Sequence, residues 1–375
     1  MIQTLTHQPM PLDRIIISGG GTGGHIYPAL AIADEIRRRN PNCEILFVGA
    51  IGRMEMEKVP QAGYRIEGLD IAGLERKIFS KKNLGFLPRV IRSVRRSKQI
   101  IKDFNPQAAI GVGGYASGPL LFAATKKHIA TLIQEQNSYP GITNKILSKR
   151  VDCICTGFEE MSKWFPKEKT IYTGNPLRNV FGGGAITDAD YKEFGLEPGK
   201  KTLFVMGGSL GAKSLNDAVR QAAGIWKDEN IQVLWQTGTR FLDSNTKFVA
   251  ENNHDHLHPI GFISSMNKAY GIADIIVSRA GAMSIAELAM IAKPTILVPS
   301  PHVAEDHQTH NAKAMTDSGA ALLIKDADVV STLGASTSAL MRDENRKIQM
   351  RNYMQVFAKP QAAATVVDEL QKLLS

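Results

Sequence analysis

Ile15-Ile16-Ile17-Ser18-Gly19-Gly20-Gly21-Thr22-Gly23-Gly24-His25 is the stretch on which the fold turns. It has a counterpart half a chain later in Leu203-Phe204-Val205-Met206-Gly207-Gly208-Ser209-Leu210-Gly211-Ala212. Each is an apolar strand that runs into a glycine loop, and each loop opens a helix, at Pro28 and near Ser214. Glycine lets backbone N–H groups approach a ligand, and the dipole of the following helix favours negative charge there. Two such units, each followed by alternating strand and helix patterns, predict an α/β protein of two Rossmann-like domains. Their parallel sheets are expected to face a central cleft, with a phosphate-bearing substrate lying between them.

Outward from these loops, strands are expected at 14–18, 44–49, 108–112, 130–134 and 152–156. A second set is expected near 202–206, 231–235, 274–278, 294–298 and 321–324. A helix from Pro28 to Asn40 has proline in its first turn and Arg37-Arg38-Arg39 complementing the dipole at its end. The domains are expected at 1–176 and 177–357, with Phe181-Gly182-Gly183-Gly184-Ala185 as a flexible hinge after the boundary. Lys359-Pro360 should break the last helices, and a final helix at about 358–375 is expected to pack back on the first domain.

A chain of 375 residues suits two domains, and 43% hydrophobic residues is enough to fill both cores. Three cysteines without metal-ligand spacing, two of them (Cys153 and Cys155) alternating on a strand, read as buried thiols in a reducing compartment. Met1 to Asp13 lacks the pattern of a signal peptide. The longest apolar run, near Ala108 to Thr125, is interrupted by glycines and Pro119, so a soluble or peripheral protein is expected. The net charge of +9 fits nucleic acid, an anionic membrane or a phosphorylated substrate, and its location decides among them.

That charge is concentrated between Arg76 and Lys98, a stretch with no acid. Leu84, Leu87, Ile91 and Val94 follow helical spacing there, which suits a helix packing one face on the core. The mixture of Phe79, Phe86 and Leu87 with Lys81, Lys82, Arg89 and Arg92 also suits an interfacial surface for anionic lipid. Neither base-stacking aromatics nor a recognised nucleic-acid module is present, so no nucleic-acid partner is expected.

Gly19, Gly21 and Gly24 also fit the GxGxxG dinucleotide fingerprint. That reading needs an acid at the end of the second strand for the ribose, and Ile45-Leu46-Phe47-Val48 ends instead in Gly49-Ala50. His25 reads either as a local cap or as a neutral imidazole able to accept a proton from an attacking hydroxyl. Ser278-Arg279-Ala280-Gly281-Ala282-Met283-Ser284-Ile285-Ala286-Glu287 follows the strand Ile275-Ile276-Val277. Glu287 there is either an acid favoured in the first helical turns or an acceptor for two ribose hydroxyls. The polar run from Ala304 to Asn311 suits sugar hydroxyls, and His302, His307 and His310 lack convincing ligand geometry, so no metal is expected. Asp188-Ala189-Asp190 and Asp326-Ala327-Asp328 lie away from the glycine loops and read as solvated surface.

Six motifs then occur in order: GGTGGH at 20–25, GGYASGP at 113–119, EQN at 135–137, GNPLR at 174–178, GGSLGA at 207–212 and HQTHNA at 307–312. Together they resemble the MurG family, the bacterial UDP-N-acetylglucosamine transferases that convert lipid I to lipid II. The similarity runs from about residue 14 to 370. The resemblance implies a GT-B fold, no cofactor and no metal. It implies inverting transfer of GlcNAc from UDP-GlcNAc to the 4-hydroxyl of the muramoyl sugar of undecaprenyl-pyrophosphoryl-MurNAc-pentapeptide, in peptidoglycan synthesis. By the family's motifs, Thr22, Gly23 and Gly24 lie near donor or acceptor phosphate, and His25 lies near the acceptor hydroxyl. Asn137 and Arg178 match donor-binding positions, Ser209 a contact to the diphosphate, and Ile263 the backbone reader of uracil. Ala282, Met283, Ser284, Ile285, Ala286 and Glu287 match the donor-binding helix start, with Glu287 on the ribose. Gln308 matches a GlcNAc hydroxyl ligand, glutamine stands in some members where His307 is, and Gln134 replaces a histidine often seen before EQN. The implied partners are UDP-GlcNAc, lipid I, an anionic membrane surface and other cell-wall synthesis proteins. The implied location is peripheral, on the cytoplasmic face of the cell membrane. A UDP-GlcNAc 2-epimerase and a non-enzymatic nucleotide-sugar sensor are the rival readings; acceptor-dependent release of UDP separates them.

Overall fold

The computed structural model describes residues 11–71, 86–178 and 185–375. The chain divides into two compact units, with crossings at Arg178/Asn179 and Ala358/Lys359. The expected hinge glycines lie outside the described residues.

In the first unit the chain forms β1 (Arg14–Ser18), α1 (Gly23–Arg39), β2 (Glu44–Ala50), α2 (Glu55–Gln61), β3 (Arg65–Leu69) and α3 (Phe86–Phe104). It continues through β4 (Ala108–Gly111), α4 (Ser117–Lys126), β5 (Ala130–Glu135), α5 (Ile142–Leu147), β6 (Cys153–Thr156) and β7 (Thr170–Tyr172). The sheet order is β3-β2-β1-β4-β5-β6-β7, with every pair parallel. β1 is buried from Ile15 to Ser18, with three consecutive isoleucines, because helices cover both faces of such a sheet.

The second unit contains α6 (Asp188–Glu193), β8 (Thr202–Met206), α7 (Lys213–Asp228), β9 (Gln232–Gln236), α8 (Leu242–Glu251), β10 (Leu257–Ile260) and α9 (Met266–Ile272). Then come β11 (Ile275–Ser278), α10 (Ala282–Ile291), β12 (Thr295–Leu297), α11 (His307–Thr316), β13 (Leu322–Leu323), α12 (Val329–Arg342) and α13 (Glu344–Val356). Its sheet order is β10-β9-β8-β11-β12-β13, again parallel throughout. Strand order reverses between β1 and β4 in one sheet and between β8 and β11 in the other. In open parallel sheets ligands bind at such switch points, outside the carboxyl ends of the strands. Both glycine loops lie there.

α14 (Ala362–Leu374) belongs to the first unit. Val366, Val367 and Leu370 enter the core that holds Ile15, Ile17, Leu30 and both Cys153 and Cys155. Arg39, at the end of α1, grips this helix through Asp368 (2.6 Å), Gln371 Oε1 (2.7 Å) and the Ala364 carbonyl (2.9 Å). All three cysteines are free and buried.

Two sequence expectations change. α1 starts at Gly23, inside the glycine loop, so Pro28 lies within the helix instead of in its first turn. Its missing N–H removes a single bond, to the Gly24 carbonyl. The stripe Leu87-Ile91 of α3 does not pack on the core: Leu87 is 67% and Ile91 45% exposed, while Ser93, Ser97, Ile100, Ile101 and Phe104 face inward.

Candidate active site

At the first switch point the loop after β1 meets the loop after β4. Ser117 Oγ donates to the carbonyls of Ser18 (2.9 Å) and Gly113 (2.8 Å), tying the two strand ends together. The approach is so close that a Cβ on Gly114 would overlap the Gly20 carbonyl. The His25 ring lies over Gly113, where a Cβ would come within 2.6 Å of it. Thr22 is the N-cap of α1 in extended conformation, and Gly23 and Gly24 supply amides of its first turn.

His25 Nδ1 stands 2.9 Å from the Gly20 carbonyl oxygen and 3.4 Å from Thr22 Oγ1. A carbonyl only accepts, so Nδ1 carries the proton and Nε2 carries the lone pair in the neutral ring. The loop itself is held from the other side: Glu55 Oε2 accepts from the Gly21 amide (2.8 Å) and Oε1 from the Ala50 amide (2.9 Å).

The EQN segment ends β5, one strand further along. Glu135 is buried, and its carboxylate accepts from the amide (3.0 Å) and side chain (3.2 Å) of Asn137, from the Gly141 amide (3.1 Å) and from Asn144 (2.9 Å). It therefore shapes the loop that carries Asn137. Gln134 donates to Asn175 (3.0 Å), whose own amide donates to the Gln136 carbonyl (3.0 Å), so Gln134 serves a buried amide network. Arg178 pairs with Asp34 (2.8 Å), three turns down α1 from the glycine loop, and is not brought to that loop.

At the second switch point Ser209 is exposed on its loop, and Gly211 sits against Gly238 with no room for a side chain on either. The Ile263 amide donates to Gln236 Oε1 (3.3 Å). Ala282 and Ile285 of α10 are buried, and Met283, Ser284 and Ala286 partly so. Glu287 lies one turn further into α10 than a capping acid would. Its Oε2 accepts from Tyr270 Oη (2.8 Å) on α9. Burial holds the Glu287 carboxyl above the usual range, and the Tyr270 bond opposes that rise. Gln308 Oε1 accepts from the Ser300 amide (2.8 Å). Just before it Glu305 and Asp306 both adopt left-handed backbone, at φ +52° and +50°, a cost concentrated at the start of α11. Asn311, also in α11, donates to the Ala280 carbonyl (3.3 Å) and so ties this helix to the loop before α10.

Neither DxD pair is plain solvated surface. Asp190 closes a capping box on α6 and pairs with Lys268 (2.9 Å). Asp326 pairs with Arg279 (2.5 Å) and accepts from Ser214 Oγ (2.6 Å), while Arg279 also donates to Ser214 Oγ (2.8 Å) and the Val298 carbonyl (3.1 Å). These contacts clamp the loop after β11 to the start of α7. Sequence reading missed Glu55, Tyr270 and this clamp. For Glu55 a signal existed in glycines at 20 and 49, both of which its side chain overlies.

Of the expected docking residues, Phe79, Lys81 and Lys82 lie outside the described residues, and Phe86 is described only as backbone. Leu87, Arg89, Ile91 and Arg92 are exposed on α3, with Arg92 near Asp70 (3.4 Å). α5 adds Ile142 and Ile146, 63% and 65% exposed, one turn apart. Among the described residues no helix is long and apolar enough to cross a membrane, and no three His, Cys, Asp or Glu side chains group as metal ligands.

Residues 15–156 match the glycosyltransferase family 28 N-terminal domain, and residues 202–366 match the family 28 C-terminal domain. A Cytophaga hutchinsonii protein named UDP-N-acetylglucosamine–N-acetylmuramyl-(pentapeptide) pyrophosphoryl-undecaprenol N-acetylglucosamine transferase is 49% identical over 363 residues, 96% of this chain and 97% of that one. The chain belongs to the MurG family. A Porphyromonas gingivalis protein of the same name is 47% identical, with 96% of each chain covered. The crystal structure of Acinetobacter baumannii MurG superposes with a TM-score of 0.78 at 27% identity, over 96% of this chain and 99% of that one. This family member is a GT-B glycosyltransferase, and these relatives are named as transferases, not as epimerases.

Proposed function

We propose that this protein transfers GlcNAc from UDP-GlcNAc to the 4-hydroxyl of MurNAc in undecaprenyl-pyrophosphoryl-MurNAc-pentapeptide, with inversion at the anomeric carbon. The observation that carries the mechanism is the His25 Nδ1 bond to the Gly20 carbonyl. It leaves Nε2 as the basic atom, and the ring sits at a switch point, where a ligand is expected. Nε2 takes the proton of the acceptor hydroxyl as its oxygen attacks the anomeric carbon. The bond from that carbon to the diphosphate breaks, and UDP leaves with the electron pair. Amides at the start of α7 and α10, with Ser209, meet the charge that develops on the diphosphate; fixed dipoles do this without reorganisation. Glu287 holds the ribose, Ile263 the uracil edge and Gln308 the GlcNAc hydroxyls, with Asn137 and Arg178 as further donor contacts. Thr22, Gly23 and Gly24 line the first loop beside the acceptor.

We place the enzyme at the cytoplasmic membrane surface, beside its lipid-linked acceptor. Leu87 and Ile91, pointing outward among Arg89, Arg92 and Arg95, support this reading, because such a face combines apolar area with charge for anionic lipid. The segment bearing Phe79, Lys81, Lys82 and Phe86 continues it along the chain, and other cell-wall synthesis proteins are proposed neighbours there. The test is release of UDP from UDP-GlcNAc with and without a lipid I analogue. Release that requires the acceptor, and falls roughly 10²–10⁴-fold in His25→Ala with UDP affinity kept, is the expected result. Conversion of UDP-GlcNAc to UDP-ManNAc without acceptor, or no turnover at all, would overturn the proposal.

A further inference from the structure

We infer that Glu55 is a positioning residue for His25, acting through the single peptide group that joins Gly20 to Gly21. The inference rests on the reading of His25 as the base and adds the group that sets its tautomer. The Gly20 carbonyl and the Gly21 N–H are two ends of one planar amide, and in the trans form they point in opposite directions. One end accepts from His25 Nδ1 at 2.9 Å, and the other donates to Glu55 Oε2 at 2.8 Å. Carboxylate, amide and imidazole therefore form one continuous line of hydrogen bonds.

The surroundings over-determine this line. Glu55 is 1% exposed, and its second oxygen takes the Ala50 amide at the end of β2 (2.9 Å). Both oxygens accept amide protons, the pattern of an ionised carboxylate. A Cβ on Gly20 would overlap the Glu55 carboxyl group, and one on Gly49 would come 2.5 Å from its Cγ. The glycines at 20 and 49 thus make room for this side chain, independently of any phosphate. Gly21 N–H is also committed to Glu55, so it is not among the amides that the first loop offers to an anion.

The chemical effect follows from polarisation along hydrogen-bonded chains. An amide that donates to a carboxylate has a more negative carbonyl oxygen. That oxygen holds the Nδ1 proton more firmly, which keeps the lone pair on Nε2 and raises its basicity. A carboxylate that touches a histidine directly does the same. Here one peptide group is interposed, and the carboxylate stays out of reach of the substrate.

The test uses the full-length protein and two readouts. In wild type, ¹⁵N spectra of the neutral His25 ring should show the Nδ1–H tautomer; a dominant Nε2–H tautomer overturns the inference without any variant. Glu55→Gln keeps the shape, removes the charge and turns an NH₂ group toward one of the two amides. In it the His25 ring signals should move toward mixed tautomers, and kcat should fall roughly 10- to 100-fold with the donor KM within about twofold. Melting temperature and UDP affinity report that the variant is folded. A folded Glu55→Gln with wild-type ring signals and wild-type kcat would refute the inference. The underlying reading fails separately: if His25→Ala keeps its kcat, His25 is not the base, whatever the tautomer spectra show.

Discussion

Removing the hydroxyl of Tyr270 should weaken the donor, and more so as the pH falls. The Tyr270→Phe ring can stay where it is, packed edge-on against Phe204 with centroids 5.8 Å apart, so the change is confined to the contacts of one hydroxyl, which also lies 3.6 Å from Met206 Sδ. Its hydrogen bond, 2.8 Å long, is donated to a carboxylate oxygen of Glu287. A hydrogen bond to a charged group contributes about 1.5–3 kcal/mol. This bounds the loss in UDP-GlcNAc affinity at roughly 10- to 150-fold, if the ribose needs Glu287 both ionised and oriented. Burial already holds the Glu287 carboxyl above its ordinary range, and the tyrosine is the group that pulls it down. Without it the carboxyl rises further. The variant then becomes protonated, and loses its ribose acceptor, at a higher pH than wild type does. Calorimetric titration of UDP-GlcNAc into both proteins, from about pH 8 down to about pH 5, reads this directly. The gap in affinity should widen on acidification, with kcat at saturating donor little changed. Equal affinities across the range, or a gap that widens as pH rises, would refute the reasoning.

Asp326→Ala should lower stability by about 2–3 kcal/mol, because it strips the carboxylate from an Arg279 side chain only 13% exposed. A melting temperature within about 2 °C of wild type would make the pair an ordinary surface contact. Burial depresses His256 and His258 below the ordinary histidine value of 6.5. The folded state thus prefers both neutral; this contribution is complete above that value and is lost as pH falls toward the depressed folded values. Urea midpoints on either side of about pH 6.5 should fall on acidification, and fall less in His256→Gln. Leu87→Ser and Ile91→Ser combined with Arg89→Glu and Arg92→Glu should reduce co-sedimentation with anionic vesicles at least several-fold. Each arginine contributes about 1 kcal/mol near such a surface. Turnover of a short-chain soluble acceptor should persist, and wild-type vesicle binding would make α3 an ordinary surface helix.

The architecture was legible because its central strands are buried on both faces and read as short apolar runs, those of β1, β4 and β8 leading into glycine. The edges were not. β3, β7 and β10, each at the rim of its sheet, carry Glu67 and Gly68, only three residues, and His258-Pro259 respectively. An edge strand needs fewer apolar residues and tolerates proline, so its signal is weak. The residues singled out from the glycine loops do stand at the two switch points. Their supports could not be read, because each lies far away in sequence. Glu55 is 34 residues from Gly21, and Asp326 is 47 from Arg279. Nothing in Lys325-Asp326-Ala327 distinguishes an anchored carboxylate from a solvated one until the fold places a guanidinium beside it.

The return of α14 to the first unit has a consequence for synthesis. The whole second unit is translated between the two parts of the first, so the ribosome releases a finished middle before a finished beginning. Until residues 362–374 emerge, the sheet that carries His25 lacks Val366, Val367 and Leu370 from its core, and Arg39 lacks the partners it grips. The first unit therefore cannot complete its core ahead of the second during synthesis, as an N-terminal domain ordinarily can. A nonsense change late in the gene would strike the unit encoded earliest.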